Sequence, residues 1–272
     1  MQRLLTLLIT LTVALNATAK SPMTITTDCA TPTLNLPTEE VNESEEEDGF
    51  WWSAGLDIAS NYLWRGYDQS YTGKMFDPSI QPGVTLGYGK FYLDLWLNMS
   101  PISGYNEFDI TLGFEHENLT VTLYDVYCDF SAPFFSKRMD NHSLTATIDY
   151  TFFERLRLHW ATTFLHADDY IVNSAGEERR AFSSYFEVAY TQPVKELFDI
   201  EILAGASPFT GPFWCYAADF ENIAEGFNVT NLSLKLSREF SAGVASFPVE
   251  LGYIYNPTTN RHYALLKAGV WF

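Results

Sequence analysis

From Phe50 to the end of the chain, apolar and polar residues alternate in short segments separated by clusters of Gly, Pro and Asn. Phe91, Leu93, Leu95 and Leu97 alternate with Tyr92, Asp94, Trp96 and Asn98, and Leu144, Ala146, Ile148 and Tyr150 alternate with Thr145, Thr147 and Asp149. Successive side chains of an extended chain point to opposite faces, so the pattern predicts strands with two unlike faces. Twelve such segments are expected, near 51–67, 78–88, 91–100, 105–115, 119–128, 143–152, 155–166, 181–192, 197–206, 227–238, 247–255 and 262–272. A period of 3.6 is sustained nowhere in this region, so no helix is expected there.

The connections tend to alternate in length. The first, fifth, seventh and ninth are long, and the ninth, Ser207 to Gly226, is the longest at twenty residues. The second, fourth and sixth are tight: Gly89-Lys90, His116-Glu117-Asn118 and Phe153-Glu154. A short third and a fairly long tenth connection depart from the alternation. Long loops on one side and short turns on the other point to an all-β fold, an antiparallel transmembrane β-barrel of about 12 strands with both termini at the short-turn side. A soluble β-sandwich has no reason to sort its loops in this way.

Aromatic residues make up 16% of the chain, and Trp51, Trp52, Tyr62, Trp64, Phe91, Phe130, Phe152, Phe153 and Trp271 fall near expected strand ends, as in the interfacial girdles of a membrane barrel. The last segment ends on Phe272, with Val270, Ala268, Leu266 and Ala264 in phase behind it, which fits the terminal signal read by barrel-assembly machinery. Outer-membrane lipid and that machinery are the partners this pattern implies.

The N-terminal region reads differently. Arg3, the apolar run Leu4 to Leu15 and Ala17-Thr18-Ala19 have the order of a secretory signal peptide, expected over residues 1–19. No run of 18 apolar residues follows, which excludes a helical membrane protein. Residues 20–49 are rich in Thr, Pro and Glu and are expected to form an acidic disordered tail, with a plug or a handle for a basic partner as the alternatives. Residues 50–272 then form the barrel.

Of the 16 bases, Arg3 leaves with the signal peptide, so 15 bases face 34 acids and the net charge is −19. Such a balance argues against nucleic acid as a partner and against binding to an anionic lipid surface. Cys29, Cys128 and Cys215 fit no metal spacing, and export leaves a Cys128–Cys215 disulfide and two free thiols both open. No cofactor or metal is expected.

Ser60, Tyr62, Arg65 and Gly66 carry a resemblance. Their spacing resembles the S-x-Y-x-x-R-G signature of an uncharacterised family of bacterial outer-membrane β-barrels, labelled Gcw_chp, in its Bacteroidetes-type branch. Ser79-Ile80-Gln81-Pro82, Glu107 to Gly113, Asn228 to Lys235 and Tyr255-Asn256-Pro257 extend it over about residues 51–272. The resemblance implies a barrel fold and the outer membrane of a bacterial cell, but no substrate and no catalytic residue.

Facing the apolar residues to lipid places the polar ones in the lumen. On the first segment Asp57, Asn61 and Arg65 share one face. The same rule turns Asp94, Glu107, Asp109, Glu115, Asp149, Glu187, Asp199, Glu201 and Glu250 inward, with Arg155, Arg157, Lys235 and Lys267. Two readings follow: a lumen closed by paired charges in a barrel that acts as a surface-interaction or accessory subunit, or a passage for small solutes that prefers cations. An enzyme is not expected. His142 and Ser143 are adjacent, so on a strand they point to opposite faces, and no nucleophile elbow or phosphate loop occurs. The ninth loop, with Phe213, Trp214 and Tyr216, is the candidate for binding a ligand or surface partner, or else for constricting the lumen.

Overall fold

A computed structural model describes residues 24–26, 33–35, 49–70, 76–128, 130, 133–135, 141–172, 175–213 and 222–272. Twelve antiparallel strands close into a single barrel. They are β1 (Phe50–Ala59), β2 (Ser79–Tyr88), β3 (Phe91–Ser100), β4 (Tyr105–His116), β5 (Leu119–Tyr127), β6 (His142–Phe152), β7 (Leu156–Leu165), β8 (Ser184–Val194), β9 (Phe198–Ser207), β10 (Asn228–Ala242), β11 (Ala245–Asn256) and β12 (Arg261–Trp271). Each strand pairs with its neighbour in sequence, and β12 closes on β1 from Lys267↔Ala59 to Trp271↔Gly55. Phe272 and Ala54 complete that seam by exchanging backbone hydrogen bonds of 3.0 and 3.1 Å. Closure leaves no open sheet edge, which is the condition for strands to stand in hydrocarbon.

The two faces differ as the alternation requires. Ile58, Leu112, Ile202, Leu251 and Leu266 each expose more than half of their surface on the outer wall, while Asp57, Thr85, Asn98, Thr145 and Thr163 are buried inside. This is inside-out relative to a water-soluble protein, and its natural solvent is lipid. A ring of exposed aromatics, including Phe50, Tyr88, Phe91, Phe153, Phe240 and Phe272, surrounds the short-turn end. The belt draws on different residues from those expected. Trp51 and Trp271 face inward, where the rings lie against Gly87 and against Gly55 and Gly83. A Cβ at Gly55 would stand 2.2 Å from the Trp271 ring, so a residue without a side chain is required there.

The connections at the short-turn end are residues 89–90, 117–118, 153–155, 195–197 and 243–244, and both termini of the barrel lie on that side. The tenth connection is therefore short, not long as expected. The polar run before it stays extended because β10 pairs with β11 as far as Ala242↔Ala245, with Phe240 opposite Phe247. At the other end, the strands are separated by 60–78, 128–141, 166–183 and 208–227, which are long connections in sequence, while 101–104 and 257–260 are short.

The first strand differs from its expected extent. It ends at Ala59 instead of continuing to 67, and Asn61 to Ser70 are buried without exception. Leu63 and Trp64 are adjacent and both buried, which no two-faced strand allows. This stretch turns into the barrel as a small hairpin, Leu63–Trp64 against Tyr67–Asp68, and lies in the long-loop end of the lumen against β4, β7 and β11. Another hairpin, Tyr170–Val172 with Glu178–Arg180, sits in the loop after β7. In the N-terminal region Thr24–Thr26 pairs with Thr33–Asn35. The expected signal peptide and the rest of the acidic tail lie outside the described residues.

Candidate functional site

The inward hairpin is pinned from several strands. Ser60 opens it by exchanging bonds with Leu266: its backbone N–H donates to the Leu266 carbonyl at 2.8 Å, and its hydroxyl accepts from the Leu266 N–H at 3.1 Å. The Tyr62 hydroxyl donates to Glu107 on β4 at 2.6 Å. Arg65 donates from Nη2 to His159 Nε2 on β7 at 3.0 Å, and its guanidinium lies 4.3 Å over the Tyr185 ring of β8. Asn256 Nδ2 donates to the Gly66 carbonyl at 3.0 Å. Ser60, Tyr62, Arg65 and Gly66 are the residues on which the family resemblance rests, and each fixes the hairpin to the wall.

Below it runs a bonded charge network. His159 Nδ1 lies 3.0 Å from Asp149 and its Nε2 faces the Arg65 guanidinium, so the ring links Arg65 to Asp149. Arg157 bridges Asp149 at 3.2 Å and Glu187 at 2.9 Å, and the Tyr185 hydroxyl donates to Glu187 at 2.7 Å. The two arginines offset the two carboxylates. A buried ion set of this kind is tolerated because every member has partners, and losing one member strands the others.

The remaining expected lumenal residues distribute as follows. Asp57 is fully buried and accepts from Trp271 Nε1 at 3.0 Å. Asp94 accepts from the Thr85 hydroxyl at 2.6 Å. Asp109, 7% exposed, faces inward. Lys235 lies 3.8 Å from Glu201 and 3.9 Å from Glu250, and Lys267 is buried on β12. Asn61 and Arg65 are buried, but in the hairpin and not on the first strand. Arg155 is not lumenal: it is exposed in the turn after β6 and donates to Gln192 at 3.2 Å. The alternation of Arg155 with Arg157 crosses the strand boundary at Leu156, where the face rule ceases to apply. Phe213 packs edge-on against Trp64, with ring centroids 5.9 Å apart. Trp214, Tyr216 and Cys215 lie outside the described residues, and with them the Cys128–Cys215 pairing.

At the outer mouth, between the hairpin and the wall, lies a recess of about 230 Å3. Trp64, Arg65, Tyr67 and Gln69 of the hairpin line it, with Tyr105, Glu107, Val126 and Cys128 of the wall side and His166 and Phe213 of the long loops. Glu107 is saturated by donors, since Tyr62 and Tyr105 both donate to it and Cys128 Sγ lies 3.6 Å away. His166 Nδ1 accepts the Asp168 N–H at 3.0 Å. Burial above all holds the His166 pKa below its ordinary value, opposed by Asp168 and Asp169. The roles of Tyr105 and Tyr185 were not singled out from sequence, although each shares the inward phase of the acid two residues on.

His142 and Ser143 do not form a catalytic pair. His142 is bonded on both nitrogens, to Asp125 and to the Phe134 carbonyl at 2.7 Å each. Among the described residues no group of three or more His, Cys, Asp or Glu could hold a metal ion.

The fold and its interior define a twelve-stranded antiparallel barrel with a polar lumen into which one hairpin folds. No protein-family model matches the chain, and no curated protein matches it. Solved structures similar to it include the NanC porin, at 10% identity and a TM-score of 0.46, and the KdgM porin, at 7% and 0.44; each likeness covers 81% of this chain and 98% of the other. OprD of Pseudomonas aeruginosa is similar at 10% identity with a TM-score of 0.31, over 79% of this chain and 65% of its own.

Proposed function

We propose that this chain is a bacterial outer-membrane barrel that passes a small solute through a lumen gated by the hairpin at 61–70. Outer-membrane lipid and the barrel-assembly machinery are its partners in this reading, and the signature resemblance to the Gcw_chp barrels agrees with it. The observation that carries the proposal is the nature of the obstruction. A segment of chain, not wall side chains alone, stands in the lumen, and it is held there by side-chain hydrogen bonds, by Arg65 over the Tyr185 ring and by the packing of Tyr62 and Trp64. Such a barrel is wide enough for a guest, and its obstruction is separable from its wall.

Cations are the preferred charge. Arg157 and Lys235 are bonded to acids, whereas Asp57, Asp94 and Glu107 have neutral donors from Trp271, Thr85 and two tyrosines. The paired bases offer little to an anion, and the wall keeps a negative excess.

A non-conducting barrel that serves as a surface-interaction subunit is the second reading. It is favoured by the fully buried state of Tyr185, Thr145 and Thr163 toward the long-loop ends of β6, β7 and β8. Planar-bilayer recording separates the two. Wild-type protein should give brief, cation-selective openings, and a Tyr62→Phe/Arg65→Ala variant should give larger and sustained ones. If both stay silent while folded, the passage reading fails.

A further inference from the structure

We infer that Asp68 and Asp77 form a site for a divalent cation, Ca2+, where the inward hairpin meets the turn between β11 and β12. The inference goes beyond the passage reading, and it is tested by ion binding, which does not need conduction.

Backbone geometry brings the two carboxylates together in the connection between β1 and β2. The Gln69 N–H donates to the Tyr62 carbonyl at 2.9 Å and the Asp77 N–H to the Ser60 carbonyl at 3.0 Å, so the segment leaving the hairpin runs back along the one that enters it. The turn between β11 and β12 closes the same junction. Asn256 donates to the Gly66 carbonyl at 3.0 Å, and its side-chain oxygen accepts the Thr259 N–H at 3.1 Å. The two acids act on each other. Burial raises the Asp68 pKa above its ordinary value against two hydrogen bonds from Ser70; the charge of Asp77 adds to the rise and that of Arg261 opposes it.

The oxygens at this junction call for a ligand. Asp77 is fully buried, and among the described residues neither of its carboxylate oxygens has a hydrogen-bond partner. Asp68 is 5% exposed; Ser70 donates to its Oδ1 from the hydroxyl and the N–H, while its Oδ2 has no such partner. Thr259 Oγ1, in the adjoining turn, is a further buried oxygen in that state. A buried carboxylate needs a counter-charge and bonded oxygens. Arg261 brings one positive charge against two negative ones, so one negative charge is left over. A proton would cancel it but engage one oxygen, whereas a metal ion draws on several at once.

The donor set selects the ion. Carboxylate and hydroxyl oxygens, without imidazole or thiolate, make a hard site that suits neither zinc nor copper. Mg2+ demands near-ideal octahedral geometry and gives up its water reluctantly, which fits a buried junction of separate loops poorly. Ca2+ accepts about six to eight oxygens in loose geometry, so two carboxylates can be completed by hydroxyl, carbonyl and water oxygens. Asp68 belongs to the hairpin and Asp77 stands just ahead of β2, so the bound ion fastens the hairpin to the wall.

The test is a calorimetric titration of the full chain, folded in detergent at fixed ionic strength, with CaCl2, and with MgCl2 and NaCl as controls. Wild type should bind Ca2+ with a Kd of about 0.1–1 mM, the range of calcium modules that work outside the cell. Asp77→Asn should weaken this binding about tenfold or more, whereas Glu45→Gln/Glu46→Gln, in the acidic run near the N-terminus, should keep it. Hydrogen exchange gives a second reading. At about ten times Kd, Ca2+ should slow exchange over 61–70 about tenfold in wild type and leave it unchanged in Asp77→Asn. Asp68→Asn decides the matter in the same way if Asp77→Asn loses its gel shift. No Ca2+ binding up to about 10 mM, equal binding in wild type and the folded variant, or exchange over 61–70 that ignores Ca2+ would each overturn the site. Tighter binding of Mg2+ than of Ca2+ would overturn the choice of ion. A barrel that binds Ca2+ here but never conducts would leave this site standing and remove the passage reading.

Discussion

Gly66 is the residue on which the inward hairpin turns. Its φ of +86° lies in the left-handed region, and an added Cβ would stand 1.9 Å from the Thr230 carbonyl oxygen, a backbone atom that cannot swing aside. Gly66→Ala should therefore unseat the hairpin at a cost of about 1–3 kcal/mol, seen as faster hydrogen exchange over 61–70; unchanged exchange there would refute the account. The two arginines near the β6–β7 turn make a matched pair. Arg157→Ala removes the bridge between Asp149 and Glu187 and should destabilise the barrel by about 3–5 kcal/mol. Arg155→Ala, at an exposed turn, should change stability by no more than about 0.5 kcal/mol. Urea unfolding in detergent compares them, and equal losses would return Arg155 to the lumen. His166 supplies a pH dependence. Burial lowers its pKa from 6.5, with Asp168 and Asp169 opposing and Arg180 assisting. Because the folded state favours the neutral ring, the contribution of His166 to loop packing is full above about pH 6.5 and is lost as pH falls through its lowered folded value. Exchange in the loop at 166–183, corrected for intrinsic rate, should rise on acidification in wild type but stay flat in His166→Gln.

At the scale of elements, the turn between β6 and β7 carries strain that a single change can relieve. Phe153 and Glu154 have φ of 52° and 60°, the left-handed pair of a tight hairpin that glycine occupies most readily. Glu154 is exposed, so Glu154→Gly should lose little packing and raise the urea midpoint by about 0.5–1 kcal/mol of stability; a lowered midpoint would show that the strain is not there. The strands themselves were legible because alternation is a local signal: each of the twelve segments expected from it overlaps one barrel strand. The failures have physical causes. The inward hairpin is fixed by bonds between residues far apart in sequence, such as Tyr62 to Glu107 and Asn256 to Gly66, and no local period encodes them. The strand pairing of Glu239 with Pro248 was hidden because Arg238 interrupts the outward apolar series Leu232, Leu234 and Leu236 before it resumes at Phe240. Of the candidate site, the inward acids could be read from phase, but the recess could not. It joins Trp64, Tyr105, His166 and Phe213, which only closure of the barrel brings together.

Barrel and hairpin differ in energy scale, and that difference sets how the whole molecule responds. The wall is a closed ladder of twelve strand pairings, so opening it means breaking many backbone hydrogen bonds together, each costly to leave unmade in lipid. The hairpin is held by side-chain bonds and ring packing and by no strand pairing to the wall. A neutral hydrogen bond such as Asn256 to the Gly66 carbonyl contributes about 0.5–1.5 kcal/mol, and one to a charged group such as Tyr62 to Glu107 or Arg65 to His159 about 1.5–3 kcal/mol. Removing the Tyr62 and Arg65 bonds takes away two links from the hairpin to the wall while leaving every strand pairing intact. The Tyr62→Phe/Arg65→Ala variant should thus migrate as a compact species on an unboiled detergent gel, with the same boiled-to-unboiled shift as wild type. Hydrogen exchange over 61–70 should rise by at least about tenfold, while exchange in β1 to β12 stays within about twofold. If the variant loses its gel shift, the hairpin is part of the wall's cooperative unit, and a gate that moves on its own is ruled out. If exchange at 61–70 does not change, side chains other than Tyr62 and Arg65 hold the hairpin, and its role as the movable element of the lumen falls with them.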